Sequence, residues 1–331
     1  MRAATYTGKG GLEVIALRDD VPHPEVGTDD ALVAVAFAGL NRADVLERQG
    51  HYPMPQQALT IPGIEFSGIV RETGSRVTNV FAGDRVCGLV QSGAHAELVA
   101  MQALTLAKVP DGVSLRDAAA IPEAFMTAHD ALFTRAQFAL GETALVHAVG
   151  SSVGLAAVAL VKRAGGIAIG TSRSAEKLER AKAAHGLDFG FVLDDGWRGR
   201  VLAATGARGV DVILDFVGAS MLEGNLAVLA SRGRIVQIGT MGGAQASLHL
   251  GMLMAKRAEL HGTVLRTRPL EEKIAIAKHF ARALLPLFAG GSLRADVDRV
   301  FPLAELGAAH EYMESNANFG KIVIEIGGPE A

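Results

Sequence analysis

Residues 144–154 have the composition of a turn that binds phosphate groups. An apolar run leads into small residues, including Ser151 and Ser152, and a helix-length segment without breakers follows Gly154. Backbone N–H groups at a helix N-terminus attract anions, and small side chains let a pyrophosphate come close to them. The usual Gly-x-Gly-x-x-Gly pattern is incomplete, because Val149 and Ser151 occupy its first two glycine positions. An ordinary tight turn between a strand and a helix is therefore the alternative interpretation.

A second group of polar residues follows the apolar run at residues 167–171. Sites for NAD carry Asp or Glu at this place, where the carboxylate binds the ribose hydroxyls. This chain instead has Ser172, Arg173 and, one turn into the next helix, Lys177. Hydroxyl groups and cations suit a 2′-phosphate, since each charge-assisted hydrogen bond contributes about 1.5–3 kcal/mol. These residues favour NADP over NAD, and an exposed polar turn with a solvated arginine is the alternative.

Both groups belong to an alternation of short apolar runs and helix-length segments that begins after Pro110. Strands are predicted over residues 143–148, 167–171, 210–216 and 234–239, and helices over 153–164, 175–184 and 221–229. Such alternation is typical of βαβ units, whose parallel sheet is covered by helices on both faces. The second part of the chain is therefore predicted to be an α/β domain with a doubly wound sheet.

The first third of the chain is predicted to be rich in β-structure. Short apolar runs predict strands over residues 32–37, 66–70, 80–86 and 94–99, and many strands at this spacing favour a compact, barrel-like domain. Three further segments are predicted to be a capped helix over 114–120 with a break at 121–123, a longer helix over 271–288 interrupted by Pro286, and a strand over 321–326 that returns to the first domain.

The composition excludes several classes of protein. The 331 residues suggest about two domains, and 49% hydrophobic with 20% charged residues predicts a sizeable core. The net charge is −3 and no run of Lys and Arg exceeds two residues, so we expect no surface for nucleic acid or for an anionic membrane. The single cysteine, Cys87, excludes a disulfide framework and a cysteine-rich zinc site.

A membrane anchor is also not expected. The most apolar stretch, residues 143–169, is interrupted by His147, Lys162 and Arg163, which is typical of a buried strand and a packed helix. The first residues have no long apolar stretch, so we expect no secretory signal. A protein of the cytoplasm is predicted.

Several segments along nearly the whole chain carry a family resemblance. They are Asn41-Arg42-Ala43-Asp44, Arg48-Gln49-Gly50-His51-Tyr52, Pro62-Gly63-Ile64-Glu65-Phe66-Ser67-Gly68, Ala118-Ala119-Ala120-Ile121-Pro122-Glu123-Ala124, Ser151-Ser152-Val153-Gly154, Gly239-Thr240-Met241-Gly242-Gly243, Leu265-Arg266 and Asn318-Phe319-Gly320-Lys321-Ile322-Val323. In this order the chain resembles the zinc-free, zeta-crystallin-like quinone oxidoreductases of the medium-chain dehydrogenase/reductase superfamily. The tumour-suppressor-inducible quinone oxidoreductases of animals and their bacterial relatives are the subgroup it resembles most.

The resemblance implies a domain organisation. A GroES-like β-barrel domain is expected over residues 1–123, a Rossmann NADP-binding domain over 124–293, and a return to the catalytic domain over 294–331. Members of the family usually dimerise through the last Rossmann strand, and residues 259–265 have a composition that suits this edge. A homodimer is therefore expected.

The resemblance also indicates whether the site would bind a catalytic zinc ion. Zinc-dependent members carry a Cys and a Gly-His-Glu motif where this chain has Leu40-Asn41-Arg42 and Gly63-Ile64-Glu65. Without thiolate or imidazole ligands in the site, no catalytic zinc is expected.

Two residues are implied at the substrate. Asn41 and Tyr52 match positions that lie beside the nicotinamide in relatives and would hydrogen-bond a quinone oxygen, with Tyr52 as a proton relay. The alternative for Tyr52 is that it anchors a loop at Pro53, while the quinone takes protons from water.

A larger set of residues is implied at the cofactor, NADPH or NADP. Thr127 is expected against the nicotinamide, although its hydroxyl could instead bond to its own helix backbone. His147 is interpreted as a core or supporting histidine and Asp215 as a strand end beside the cofactor. The full set is Thr127, Ser151, Ser152, Val153, Gly154, Ser172, Arg173, Lys177, Phe216, Val217, Gly239, Met241, Leu265, Arg266 and Asn318.

The function that these expectations favour is NADPH-dependent, zinc-independent reduction of a quinone or a related small electrophile. Reduction of an activated C=C bond, in an enone or an enoyl thioester, is the alternative within enzymes. A cofactor-binding protein with little turnover is the alternative from another class.

Overall fold

The computed structural model describes residues 1–52 and 59–327. The chain divides into two compact units. The first unit comprises Met1–Met126 and Arg266–Ala331, and the second comprises Thr127–Leu265.

The first unit is built on a seven-stranded sheet with a separate two-stranded ribbon. Its strands are β1 (Ala3–Tyr6), β2 (Ile15–Arg18), β3 (Asp30–Leu40), β4 (Glu65–Thr73), β5 (Arg85–Leu89), β6 (Leu98–Gln102), β7 (Leu106–Lys108), β14 (Val297–Pro302) and β15 (Lys321–Glu325). The main sheet has the order β14-β15-β3-β4-β5-β7, and β6 also pairs with β3. Buried β-branched and aromatic side chains such as Val33, Phe66 and Ile322 form its core. The prediction that the first part of the chain is rich in β-structure is confirmed.

The helices of the first unit are short. They are α1 (Arg42–Arg48), α2 (Leu115–Ala118), α3 (Pro122–His129, which continues into the second unit), α9 (Leu270–His279), α10 (Leu285–Ala289) and α11 (Leu306–Glu314). The predicted break at residues 121–123 lies about two residues earlier, because α2 ends at Ala118 and Pro122 is already the first residue of α3. Proline is tolerated there, since the first N–H groups of a helix have no partner within the helix.

Two predicted strands of the first unit are displaced, and the strand predicted over residues 94–99 is observed as β6 only from Leu98 onward. The apolar run at residues 80–86 predicts a strand, but β5 begins only at Arg85. Before it, Gly83 adopts a φ of +90° and Asp84 accepts the N–H of Phe81 at 2.8 Å, which closes a turn. The turn residues outweigh the apolar pattern.

The second unit contains a six-stranded parallel sheet of the order β10-β9-β8-β11-β12-β13. The strands are β8 (Thr143–Val146), β9 (Ile167–Ser172), β10 (Phe189–Val192), β11 (Val210–Asp215), β12 (Leu229–Gln237) and β13 (Glu259–Gly262), and the helices are α4 (Ser152–Arg163), α5 (Ala175–His185), α6 (Trp197–Ala204), α7 (Leu222–Val228) and α8 (Leu250–Lys256). This is the strand order of dinucleotide-binding domains. The predicted Rossmann sheet is confirmed.

The return to the first unit begins earlier than residue 294. Residues 266–293 belong to the first unit, where α9 packs against β7 and α10 contributes Phe288, whose ring lies edge-on to Phe125 at 4.8 Å between centroids. The strand predicted at 321–326 is present as β15, which pairs with β3 in antiparallel register, Ile322 opposite Leu40. Among the helices of the described residues, none is long and apolar enough to cross a lipid bilayer.

Candidate active site

A buried ion cluster lies in the first unit where three strands meet. Because β15 pairs with β3 and β3 with β4, Lys321 lies close to Asn41 and Glu65. The Lys321 ammonium donates to Glu65 Oε1 at 2.5 Å and to Asn41 Oδ1 at 2.5 Å, and its Nζ lies 3.4 Å from Glu123 Oε2. Lys321 is 1% exposed and Glu65 is fully buried. Burial opposes the ammonium charge, but the two carboxylates outweigh it and raise the pKa of Lys321.

This cluster orients the Asn41 side chain. Its Nδ2 donates to Glu65 Oε1 at 2.8 Å while its Oδ1 accepts from Lys321. An amide NH2 group has two N–H donors, and among the described residues Glu65 takes one of them. Gly39 makes the arrangement possible, because a Cβ at that position would collide with the Glu65 carboxylate. The second N–H of Asn41 is therefore held in a fixed direction.

The second predicted catalytic residue, Tyr52, lies over a buried arginine. The guanidinium carbon of Arg266 is 5.1 Å from the centroid of the Tyr52 ring. Arg266 also donates to Glu47 Oε2 at 2.6 Å and to the Gln91 carbonyl at 2.6 Å. Burial raises the pKa of Tyr52, while the nearby Arg266 charge opposes the shift. The phenol is therefore protonated at neutral pH and can donate a hydrogen bond.

The predicted phosphate turn lies between β8 and α4 in the second unit. Ser151 is the N-cap of α4, and its hydroxyl accepts the N–H of Gly154 at 3.1 Å. A Cβ at Gly154 would lie 2.8 Å from the carbonyl oxygens of Ala148 and Val149. The turn therefore requires glycine there, and the first turn of α4, including Ser152 and Val153, presents backbone N–H groups as an anion site would. These residues fit a dinucleotide.

The residues predicted for the 2′-phosphate lie together at the end of β9. Ser172 is its last residue and accepts the N–H of Ser174 at 3.1 Å. Ser174 is the N-cap of α5, with Lys177 in the first turn, and Arg173 is exposed between the two elements. One short turn therefore carries both cations and both hydroxyls.

Two more predicted cofactor segments lie together beyond β11 and β12. Val217 accepts the N–H of Gly242 at 2.6 Å, and Ala219 donates to the Gly243 carbonyl at 2.9 Å. Phe216 is buried in this region, whereas Met241 is 48% exposed. Gly239 comes close to the backbone of Phe216, as a Cβ there would lie 2.8 Å from its carbonyl oxygen.

The remaining predicted residues are divided between the units. Thr127 and Leu265 belong to the second unit, and Arg266 and Asn318 to the first. Thr127 is buried in α3, and the Asn318 amide donates to the Gly320 carbonyl at 3.0 Å. Arg266, predicted at the cofactor, holds Glu47 and the Tyr52 ring within the first unit.

Glu65, Glu123 and Lys321 lie in segments that carry the family resemblance, but the sequence alone predicted no role for them. The signal was a lysine at the start of the apolar run 321–326. A charged side chain in a strand buried on both faces needs a partner. In the part of the chain that the structure describes, no group of three or more His, Cys, Asp or Glu side chains could hold a metal.

Comparison with known proteins identifies the family. Residues 27–111 match the alcohol dehydrogenase GroES-like domain, and residues 187–324 match the zinc-binding dehydrogenase family. The quinone oxidoreductase-like protein 2 of Bos taurus is 31% identical over 313 residues, which cover 94% of this chain and 89% of the relative. The chain belongs to the quinone oxidoreductase-like proteins of the medium-chain dehydrogenase/reductase family. The predicted family is confirmed, and the finer subgroup stays a prediction.

Solved structures agree with this assignment. The quinone oxidoreductase of Escherichia coli complexed with NADPH has a TM-score of 0.87 and 29% identity, and the match covers 98% of this chain and all of that one. An NAD-dependent alcohol dehydrogenase reaches a TM-score of 0.90 at 28% identity, with 99% of this chain covered and all of that one. The chain is therefore an oxidoreductase of a family that uses nicotinamide cofactors.

Proposed function

We propose that this family member catalyses NADPH-dependent, zinc-independent reduction of quinones. The observation that carries the proposal is the Asn41 amide, held by Lys321 and Glu65 at the position where zinc-dependent members carry a cysteine ligand. Ile64 stands where they carry a histidine ligand, and an aliphatic side chain cannot bind a metal. The site therefore offers hydrogen-bond donors in place of a Lewis acid.

The second unit supplies the binding groups for the cofactor. Ser151, Gly154 and the N-terminus of α4 would hold the pyrophosphate. Arg173 and Lys177 would bind the 2′-phosphate, in a turn that lacks the carboxylate typical of NAD sites. NADPH, when bound, supplies a hydride. The exposed arginine favours NADPH over NADH.

The first unit supplies donors for the substrate. Reduction of a quinone places negative charge on a carbonyl oxygen, which N–H and O–H donors stabilise. The second N–H of Asn41 and the phenol of Tyr52 are the donors that we assign to this oxygen. Arg266 beneath the Tyr52 ring would stabilise the phenolate that forms when Tyr52 gives up its proton.

The test is oxidation of NADPH, with NADH alongside, against 1,2-naphthoquinone, 1,4-benzoquinone and crotonyl-CoA in the presence of a chelator. We expect quinone turnover with NADPH that survives the chelator and falls about tenfold or more in Tyr52→Phe. Tyr312→Phe is the matched control, because the Tyr312 phenol binds Asp298 at 2.9 Å in another part of the first unit. Turnover of the thioester alone would support an enoyl reductase, and NADPH binding without turnover would support a binding protein.

We also propose that the protein is a homodimer formed through β13. This strand is an edge of the six-stranded sheet, and Leu260 on it is 44% exposed. An exposed apolar edge strand is a template for pairing with a second copy. Light scattering should give twice the chain mass, and Leu260→Lys should shift it toward the monomer. A monomeric wild-type protein would refute this.

A further inference from the structure

Four buried polar side chains form a continuous chain at the carboxyl end of the parallel sheet. His147 Nδ1 is 2.6 Å from the hydroxyl of Thr171, and His147 Nε2 is 2.7 Å from Asn225 Oδ1. Asn225 Nδ2 donates to Asp215 Oδ2 at 2.8 Å. All four residues are fully buried. They join residues at the ends of β8, β9 and β11 to the helix α7.

The direction of these hydrogen bonds is fixed from one end. A carboxylate can only accept, so the NH2 group of Asn225 faces Asp215 and its Oδ1 must accept from His147 Nε2. His147 Nδ1 then accepts the proton of the Thr171 hydroxyl, as a neutral imidazole allows. Burial lowers the pKa of His147, which keeps this neutral form, although the Asp215 charge opposes the shift.

Asp215 connects this chain to the loops predicted to hold the cofactor. Its Oδ1 accepts the N–H groups of Val217 at 2.6 Å and Gly218 at 2.9 Å. Its backbone carbonyl accepts the N–H of Ile238 at 2.8 Å and the side-chain amide of Gln237 at 3.1 Å. The Asp215 side chain therefore holds residues 216–218, while its backbone carbonyl holds residues 237–239.

The turn held in this way is open only to glycine and is kept in one shape by the Asp215 carboxylate. Gly218 adopts a φ of +94°, and the backbone of Gly243 packs so closely that a Cβ at Gly218 would lie 2.6 Å from its carbonyl oxygen. Two N–H groups bonded to one carboxylate oxygen keep the turn in this shape. If Asn225 did not hold the other oxygen, Asp215 could rotate and release both N–H groups.

We propose that the side chains of Thr171, His147, Asn225 and Asp215 form a positioning chain that holds loop 216–218 ready for the dinucleotide. Asn225 and His147, to which no binding role has been given, are its central members. The inference rests on the proposed function, because it requires that the second unit binds NADPH. None of the four side chains needs to touch the cofactor, since each acts through the next.

The test compares two variants that each lose a buried or half-buried hydrogen bond in the second unit. Asn225→Leu has nearly the same volume and leaves Asp215 without its side-chain donor. Thr205→Val is the matched control. The Thr205 hydroxyl, at the end of α6, accepts the N–H of Gly209 at 3.1 Å and makes no hydrogen bond to the four side chains of the positioning chain. Both should lower the melting temperature.

Two measurements separate positioning from mere stability. Amide hydrogen exchange of unliganded protein should show faster exchange at residues 216–218 in Asn225→Leu than in Thr205→Val. Calorimetric titration should show the Kd for NADPH rising about tenfold or more in Asn225→Leu and less than about twofold in Thr205→Val. His147→Gln is the second variant if Asn225→Leu does not fold, and its Kd should rise severalfold. Trp197, the single tryptophan, lies 5.6 Å from the His147 ring, so its emission reports whether the local packing survives.

The outcomes distinguish the two proposals. Faster loop exchange with an unchanged Kd would overturn the positioning chain and leave NADPH binding intact. Equal loop exchange in both variants would also overturn it. A wild-type protein that does not bind NADPH would overturn the proposed function. It would also remove any role of the positioning chain in holding the dinucleotide.

Discussion

Replacing Lys321 by methionine tests the buried ion cluster of the first unit most directly. Methionine has a similar length and no charge, so the backbone of β15 can remain in place. The substitution leaves Glu65 fully buried and removes the ammonium ion that lies 2.5 Å from its Oε1. That oxygen then keeps its hydrogen bond from the Asn41 amide. Glu123 loses the same cation.

The loss in the free energy of unfolding can be estimated from the burial of Glu65 and Lys321. Removing one member of a buried ion pair costs about 3–5 kcal/mol, because the remaining charge has no water and no counter-ion. A double variant, Glu65→Gln with Lys321→Met, removes the charges of these two fully buried side chains, keeps their shape and leaves only the less buried Glu123 charged. We expect it to recover most of the loss, since no isolated charge remains at the Glu65 position.

The assay is urea unfolding followed by circular dichroism. Trp197 emission is unsuitable here, because Trp197 lies in the second unit and the cluster in the first. Lys108→Met is the control, since Lys108 pairs with Asp84 at 2.6 Å but its side chain is 50% exposed, and exposed pairs contribute less than about 1 kcal/mol. If Lys321→Met costs no more than Lys108→Met, or if the double variant is the less stable of the two, the reasoning is refuted.

Three further predictions concern the cofactor site and a buried histidine. Arg173→Ala should raise the Kd for NADPH about 10- to 100-fold with little change for NADH, and equal losses for both cofactors in calorimetric titration would contradict it. Gly154→Ala should weaken binding of both cofactors and lower the melting temperature, because its Cβ would meet the Ala148 carbonyl at 2.8 Å; unchanged affinity would contradict the predicted pyrophosphate site. Burial lowers the pKa of His95 from 6.5 to about 4, so its contribution to stability is present above pH 6.5 and is lost as the pH falls toward 4. At pH 5 this loss is about 2 kcal/mol relative to pH 7, and unfolding of His95→Gln should have a shallower pH dependence; parallel pH profiles would refute the shift.

Local patterns predicted the centre of the second unit's sheet well. The strands β8, β9 and β11 are mostly buried apolar runs separated by turn residues, and such runs need no distant partner to be recognised. The predicted strand at 210–216 differs from β11 by one residue, and that at 234–239 misses the first part of β12. β12 starts at Leu229, where Ser231 and Arg232 interrupt the apolar pattern, and Arg232 has a φ of +62°. An irregular strand of this kind is invisible to a period-based prediction.

The cluster around Lys321 could not be predicted by the same means. Asn41, Glu65 and Lys321 are far apart in the sequence, and only the pairing of β15 with β3 and of β3 with β4 brings them together. The pattern at 321–326 predicts a strand that returns to the first domain, but not its neighbour or register. A shift of one residue would turn Lys321 to the other face.

The two buried polar networks both fix the orientation of an asparagine side-chain amide, but with different neighbouring groups. In the first unit, Lys321 can only donate and Glu65 accepts, so a reversed Asn41 amide would place its NH2 group against an ammonium and its oxygen against a carboxylate. In the second unit the neutral His147 and Asn225 lead to a single carboxylate, Asp215, which imposes the direction on all of them. Each network thus orients a group that we propose for ligand binding: the second N–H of Asn41 in one case and the loop 216–218 in the other. An amide donor, unlike a metal ligand, has no metal to hold it, and the charged residues buried beside Asn41 hold its amide in one orientation.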